Sequence, residues 1–267
     1  MRLGIIGCGK MGSALLAGVL KSGVCKPESV VVHDAVAAAQ EAVSTSYGVA
    51  SAASNSEVLA ASDAVLLCIK PQTFPALLEE IRQWEGPPRL LISIAAGIRI
   101  AAIENGSGNR HRVIRVMPNT PAMVQRGASA FARGSTATAE DASLTGTLLE
   151  SVGFVTEVTE PQLDAVTALS GSGPAYIFIL IESLVKGGQD VGLDETTALH
   201  LAAHTVAGAA ELLLSTRETP AKLRENVTSP GGTTFAALES LRSDHFDDIV
   251  RRAMGAAHRR SLELGDQ

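Results

Sequence analysis

Short apolar runs alternate with helix-like segments through the first half of the chain and then cease. Leu3–Ile6, Val30–His33 and residues 64–69, 90–94 and 113–116 are nearly continuous apolar runs, each followed within three residues by Gly, Pro or a charged residue. Runs of this length with such ends read as strands. Residues 13–20, 35–46, 55–61 and 75–84 carry helical patterns between them, and short strands near 129–132 and 154–158 extend the series. Strands that are apolar throughout, rather than at alternate positions, are buried on both faces. The alternation therefore predicts a parallel sheet covered by helices on both sides.

Beyond residue 160 the strand signals stop. Helical patterns cover 174–191, 195–214, 220–226, 234–242 and 246–264. The first two are apolar nearly all round, and such a helix has to be buried on every side. A helical domain this small cannot bury both by itself, so an intertwined homodimer through these helices is expected rather than an ordinary core. The fold class that follows is α/β: a doubly wound parallel sheet over residues 1–160, then an all-helical dimerisation and substrate-binding domain over 161–267.

Composition narrows the partners. The chain is 46% hydrophobic, 19% charged and 3% aromatic, with a net charge of −6 and no long basic run. That supports a substantial core and argues against nucleic acid or an anionic membrane as a partner. No stretch reaches the ~20 consecutive apolar residues that span a bilayer. Arg2 is followed at once by the first strand, so no secretory leader is expected. Cys8, Cys25 and Cys68 have no metal-ligand spacing, and their odd number fits a reduced, cytoplasmic protein. His200 and His204 stand four apart without a third ligand, so no metal site is expected.

The chemistry starts at the end of the first strand. Gly7-Cys8-Gly9-Lys10-Met11-Gly12 is a G-x-G-x-x-G turn between a strand and a helix, the setting in which that motif binds a dinucleotide. Gly7 permits the tight turn, Gly9 lets a pyrophosphate approach the backbone, and Gly12 lets helix and strand pack closely. The helix N-terminus adds amide donors and a positive dipole end. The first domain is thus a Rossmann domain. Asp34 ends the second strand, 22 residues after Gly12. A carboxylate there binds both ribose hydroxyls of NADH and repels a 2′-phosphate, and no Lys or Arg in 35–46 would neutralise one. On charge alone NADH is the better cofactor; the competing role for Asp34 is to cap the following helix.

A second glycine-rich segment, Ser229-Pro230-Gly231-Gly232-Thr233-Thr234, joins two helices of the second domain. It reads equally as a carboxylate site built from backbone amides or as a helix–helix turn with a threonine cap. A third, Ser170-Gly171-Ser172-Gly173-Pro174, lacks the leading Gly and the preceding strand of a hydrolase elbow. Pro174 fits the first turn of the long helix after it.

Taken together, these segments resemble the Δ1-pyrroline-5-carboxylate reductase family of proline biosynthesis. Ile6 through Gly12, Ile69-Lys70-Pro71, Ser93 through Gly97, Arg115 through Pro121, Leu169 through Tyr176 and Ser229 through Thr234 carry the likeness in family order. The resemblance implies reduction of the cyclic imine 1-pyrroline-5-carboxylate to L-proline by NAD(P)H, in dimers that often assemble into rings. It implies cofactor contacts at Gly7, Cys8, Gly9, Lys10, Met11, Gly12, Asp34, Asn55, Cys68, Ile69, Lys70, Pro71, Ala95 and Ala96. Substrate contacts would be Met117, Asn119, Ser229, Gly231, Gly232, Thr233 and Thr234, and in a family dimer the 229–234 loop closes over the partner's nicotinamide. Two departures stand out. The family habit is NADPH with small polar or basic groups near position 34, where this chain has Asp34, and Ala221-Lys222 replaces the usual Gly-Glu after Pro220.

An imine that enters protonated needs positioning more than acid catalysis, so Thr234 is the candidate catalytic residue, its hydroxyl orienting the ring nitrogen. A β-hydroxyacid dehydrogenase shares this layout but needs a Lys and, four residues on, an Asn; Lys186 is followed there by Asp190. A non-catalytic dinucleotide sensor would leave the 229–234 loop without a use.

Overall fold

A computed structural model describes residues 1–265. The chain divides into two compact units: Met1–Ser172 together with the described residues from Ala257, and Gly173–Ala256. The expected boundary at 160/161 differs from this division. Leu163 and Asp164 are fully buried within the first unit, and Ser261 is buried beside Asp164, so both flanks of the helical region belong to the sheet domain.

The first unit is built on an eight-stranded sheet. Its strands are β1 (Leu3–Ile6), β2 (Val30–His33), β3 (Ala50–Ser51), β4 (Ala64–Leu67), β5 (Leu90–Ser93), β6 (Arg112–Met117), β7 (Gly127–Arg133) and β8 (Gly153–Glu157). The order across the sheet is β3-β2-β1-β4-β5-β6-β7-β8. Every pairing is parallel except β6 with β7. The chain moves outward from β1 to β3 and then returns to the other side of β1 with β4. This switch point leaves a crevice at the carboxyl ends of β1 and β4, where open α/β sheets bind ligands.

Successive residues along the central strands enter opposite cores, as the period of a strand requires. Leu3, Ile5, Leu66, Leu90 and Ile92 belong to one apolar cluster; Ile6, Val65, Leu67, Leu91 and Val113 belong to the other. The expected sheet buried on both faces is what forms. Its helices are α1 (Lys10–Lys21), α2 (Ala37–Tyr47), α3 (Asn55–Ala61), α4 (Phe74–Gln83), α5 (Ile100–Gly106), α6 (Ala139–Glu150) and α7 (Gln162–Val166). The apolar pattern does not announce α5, α6 or α7. A sequence signal did exist for α6: Thr138 and Asp141 form a reciprocal capping box.

In the second unit, α8 (Gly173–Asp190), α9 (Glu195–Thr216), α10 (Pro220–Asn226) and α11 (Thr233–Ser243) precede α12 (Phe246–Gly265). Asp194 and Thr219 cap α9 and α10 through the amides of Thr197 and Lys222. Helices α8 and α9 meet closely where Gly188 faces Ala198. Together α7, one π-helical turn (Thr167–Gly171) and α8 make a continuous helix, Gln162–Asp190. This helix and α9 are long and apolar enough to cross a membrane, which corrects the expectation that no stretch reaches that length. The apolar runs are interrupted by Ser, Thr, Gly and His residues and by charges such as Glu182, Lys186 and Glu211, which an uninterrupted count rejects. In α8 no residue is buried, and in α9 only Ala198 and Ala202 are, while Phe178, Ile179, Leu201 and Leu214 lie open.

Candidate functional site

The glycine turn is fixed from three sides. Gly7 takes a positive φ of 106°, and its N–H donates to the His33 carbonyl at 2.8 Å, tying the turn to the end of β2. A Cβ on Gly7 would lie 2.5 Å from the Cys68 carbonyl oxygen, and one on Gly12 would fall on the Gly7 carbonyl oxygen. Gly9 differs: a Cβ there would meet nothing within 4 Å. Two of the three glycines are therefore demanded by the fold, and the third faces open space that a ligand can enter. Helix α1 begins at Lys10, three residues earlier than the pattern suggests, with Gly9 as its N-cap and no side chain capping it. Its first amides are thus available to a pyrophosphate.

Asp34 is built into this turn. Its Oδ2 accepts the Cys8 main-chain N–H at 2.6 Å, and its Oδ1 accepts the Val36 N–H at 2.7 Å. The carboxylate thus takes a loop-capping role two residues before the N-cap of α2, which is Val36. A cavity of about 450 Å³ lies alongside, lined by His33, Asp34, Ala35, Gln40, Glu41 and Ser51 among others, with no Lys or Arg in its wall. Gln40 was missed by sequence reasoning and has no motif to reveal it. It accepts the Asp34 N–H at 2.9 Å and donates to the Ala52 carbonyl at 2.9 Å, so it holds the cavity's two walls together.

The structure brings Cys68 and Ile69 against the glycine turn, since Cys68 N–H donates to the Ile6 carbonyl at 2.7 Å. The strand ends at Leu67, so Cys68 through Pro71 form the crevice edge, with Lys70 exposed. Burial and the Asp34 charge push the Cys8 thiol up to about 11, and burial pushes Cys68 higher still. Both stay protonated and are poor nucleophiles. Asn55 opens α3; its Nδ2 donates to Glu80 at 2.7 Å, while its Oδ1 is buried without a partner. Ala95 is buried and Ala96 exposed in the loop after β5.

Asn119 departs from its expected part. Its Nδ2 donates to the Ser170 carbonyl at 3.0 Å, and its Oδ1 accepts the Ala128 N–H at 2.8 Å. Ser170 is four residues before Pro174, which has no N–H to give that carbonyl. The Ser172 N–H reaches back to Thr167 at 2.8 Å, making the π turn. The Asn119 bonds therefore go to main chain and secure a proline-interrupted helix. Met117 packs under the same turn, where a Cβ on Gly171 would lie 2.5 Å from its Cε.

In the second unit the 229–234 loop is a tight turn. Gly231 has a φ of 68°, and Gly232 N–H donates to the Ser229 carbonyl at 3.0 Å. A Cβ on Gly232 would fall on the Ser229 hydroxyl. Helix α11 starts at Thr233 with Gly232 as N-cap and no side-chain cap, so the threonine-cap reading loses its ground. Thr233 and Thr234 occupy the first turn, where amides lack intrahelical partners. Among the described residues no cluster of three or more His, Cys, Asp or Glu could hold a metal ion.

Comparison with known proteins places this geometry. The family model for pyrroline-5-carboxylate reductase dimerisation matches residues 160–264, which encloses both long apolar helices. A model for coenzyme F420-dependent NADP oxidoreductases matches residues 2–97. Pyrroline-5-carboxylate reductase of Pseudomonas aeruginosa is 38% identical over 100% of this chain and 97% of its own. The solved pyrroline-5-carboxylate reductase of Coxiella burnetii superposes with a TM-score of 0.94 at 33% identity, covering 98% of both chains. A Plasmodium falciparum pyrroline carboxylate reductase, solved with NADP bound, gives 0.87 at 30% identity over 99% of this chain and 98% of that one.

Proposed function

The chain belongs to the pyrroline-5-carboxylate reductase family, and we propose that it reduces 1-pyrroline-5-carboxylate to L-proline, the closing step of proline biosynthesis. The observation that carries this reading is a pair of uncapped helix N-termini behind glycine turns, at Lys10 and Thr233, in a chain alike throughout to such reductases. One turn suits a pyrophosphate and the other a carboxylate. NAD(P)H, when bound, supplies the hydride.

The residues present fit that cofactor. Space at Gly9, free amides at the start of α1 and the Asp34 cavity provide for a pyrophosphate and an adenosine ribose. Gly7, Cys8, Gly9, Lys10, Met11 and Gly12 form the pyrophosphate turn. Cys68, Ile69, Lys70, Pro71, Ala95 and Ala96 form the far wall, and Asn55 stands at the start of α3 beside them. With Asp34 and Glu41 in the lining and no cation, the ribose site favours NADH.

On the substrate side, amides of Gly231, Gly232, Thr233 and Thr234 hold the carboxylate, with Ser229 bracing the turn. Thr234 directs its hydroxyl to the ring nitrogen. No strong general acid is required, because the iminium form already carries its proton. What the protein contributes is orientation of the acceptor carbon. Met117 and Asn119 serve by holding the 167–171 turn. The C-terminal helices form a homodimer, larger rings are built from that dimer, and the protein works in the cytoplasm, where its free cysteines stay reduced.

The test is consumption of NADH or NADPH with 1-pyrroline-5-carboxylate, and the reverse oxidation of L-proline. Turnover that depends on the imine is expected. Absence of turnover with both cofactors overturns the reading.

A further inference from the structure

Three segments far apart in sequence meet on one buried carboxylate. Arg99 Nη1 donates to Asp164 Oδ2 at 2.7 Å, and Ser261 Oγ donates to Asp164 Oδ1 at 2.6 Å. Arg99 ends the β5–α5 loop, Asp164 lies on α7, and Ser261 lies on the last turns of α12. The Asp164 side chain is wholly buried and that of Ser261 nearly so. Burial pushes the Asp164 carboxyl up, but the Ser261 and Arg99 hydrogen bonds and the charges of Arg99 and Arg115 outweigh it and hold it below the usual carboxylate range.

The same loop and helix also touch through backbone. Gly97 has a φ of 77°, and a Cβ on it would sit 3.2 Å from the Leu264 carbonyl oxygen. A Cβ on Gly265 would sit 2.6 Å from Arg99 Nε. The end of α12 therefore seats directly on residues 97–99. That loop continues β5 at its carboxyl end. Ile94 N–H donates to the Leu67 carbonyl at 3.2 Å, immediately before Cys68, which borders the glycine turn. The loop is thus one wall of the crevice at the sheet's switch point.

We propose that Ser261, Asp164 and Arg99 are positioning residues, through which the last turns of α12 set the β5–α5 loop and so the reactive end of the bound dinucleotide. This inference rests on the functional reading above. It assigns the chain's C-terminal helix a role in hydride transfer besides any in dimerisation. Other anchors hold the loop's two ends: Ala95 and Ile100 are buried in the core, and the Ile100 N–H, the first amide of α5, donates to Glu160 at 2.7 Å, which leaves Gly97 to Arg99 against α12.

The test compares wild type with Ser261→Ala, Ser261→Thr and Arg99→Lys. Dinucleotide Kd is read by fluorescence titration, kcat and imine KM by steady-state kinetics, and folding by Tm. Ser261→Ala is expected to weaken dinucleotide binding about five-fold for the lost hydrogen bond and to lower kcat about ten-fold through misplacement of the donor. Imine KM should stay put, and Ser261→Thr should restore both values. Arg99→Lys, which keeps the charge but not the fork, should show a milder form of the same pattern. A lower Tm with unchanged Kd and kcat in Ser261→Ala and Arg99→Lys means a purely structural bond and overturns the inference alone. A wild-type chain that binds neither NADH nor NADPH overturns the functional reading and this inference with it.

Discussion

The main-chain N–H of Cys8 donates to the carboxylate of Asp34 at 2.6 Å, so the residue that should read the ribose also shapes the turn that should hold the pyrophosphate. The two halves of the proposed dinucleotide site are thus joined by a hydrogen bond. Removing the acceptor would leave a part-buried amide unpaired, at a cost of about 1–3 kcal/mol. Asp34→Asn is the cleaner change, because it keeps an acceptor and removes the charge. Wild type should prefer NADH over NADPH in kcat/KM by about ten-fold or more, and Asp34→Asn should flatten the preference to within about three-fold. Steady-state kinetics with each dinucleotide as the varied substrate check this. A wild type that prefers NADPH would sink the argument from Asp34.

The glycines of the turn should separate into two kinds. Gly12→Ala forces a methyl onto the Gly7 carbonyl oxygen and should cost about 1–3 kcal/mol or more, as overpacking does. Gly9→Ala meets only open space and should change stability by no more than about 1 kcal/mol, the difference between Gly and Ala at an N-cap. Its effect belongs to the ligand: cofactor Kd should rise at least about ten-fold. Denaturant titration and cofactor titration on the same two variants decide the matter. Equal loss of stability in both would be the contrary result.

Thr234→Ala should lower kcat/KM by roughly ten- to a hundred-fold while Tm and dinucleotide Kd hold, since one oriented hydrogen bond is lost. Thr234→Ser, which retains the hydroxyl, should recover most of the rate. Unchanged kcat/KM in the alanine variant would remove Thr234 from the reaction.

Acid sensitivity should come from His111, at the far end of the sheet from the crevice. Burial first, then the charges of Arg110, Arg89 and Arg112, lower its pKa from 6.5 to about 4. Its Nδ1 accepts the Arg89 N–H at 3.1 Å, and its Nε2 is buried without a partner. The folded state therefore keeps the ring neutral while the unfolded chain takes a proton below 6.5. Stability should fall as pH drops from 6.5 to 4, by on the order of 3 kcal/mol in all. Asp141 and Asp164 are lowered instead, so their contribution is intact above the ordinary carboxylate range and lost only as pH falls through their depressed values. Urea unfolding across pH 4–7 should show the slope, and His111→Gln should abolish it. The same slope in that variant would clear His111.

The exposed apolar faces of α8 and α9 should be the dimer contact. Phe178 and Ile179 are 61% and 64% exposed in the single chain. Phe178→Asp should turn a dimer into a monomer in sedimentation, with loss of turnover if the 229–234 loop works across the dimer. A wild type that sediments as a monomer at micromolar concentration would be the adverse finding.

Much of this molecule was legible before its fold. The central strands were found because their residues are apolar without alternation, and the crevice followed from Gly7, Gly9 and Gly12 lying between strand and helix. The loop at 229–234 was visible as a motif, though its choice between anion site and threonine cap was not. Gly232, not a threonine, proved to be the N-cap. Strand β3 escaped because its two residues are exposed and carry no pattern. Helix α6 escaped because Ser, Thr and Gly dilute its apolar face, although its capping box was written in the sequence.

What the sequence determined by itself was periodicity and turn chemistry, which depend on neighbours within a few positions, and the family likeness, which needs only the order of short motifs. What only the tertiary structure decided was which distant groups complete one another. Asp34 found Cys8, Asn119 found the carbonyl that Pro174 cannot serve, and Ser261 found Asp164, 97 positions away. A buried polar atom must be satisfied by whatever the fold brings within about 3 Å, and separation along the chain says nothing about that distance.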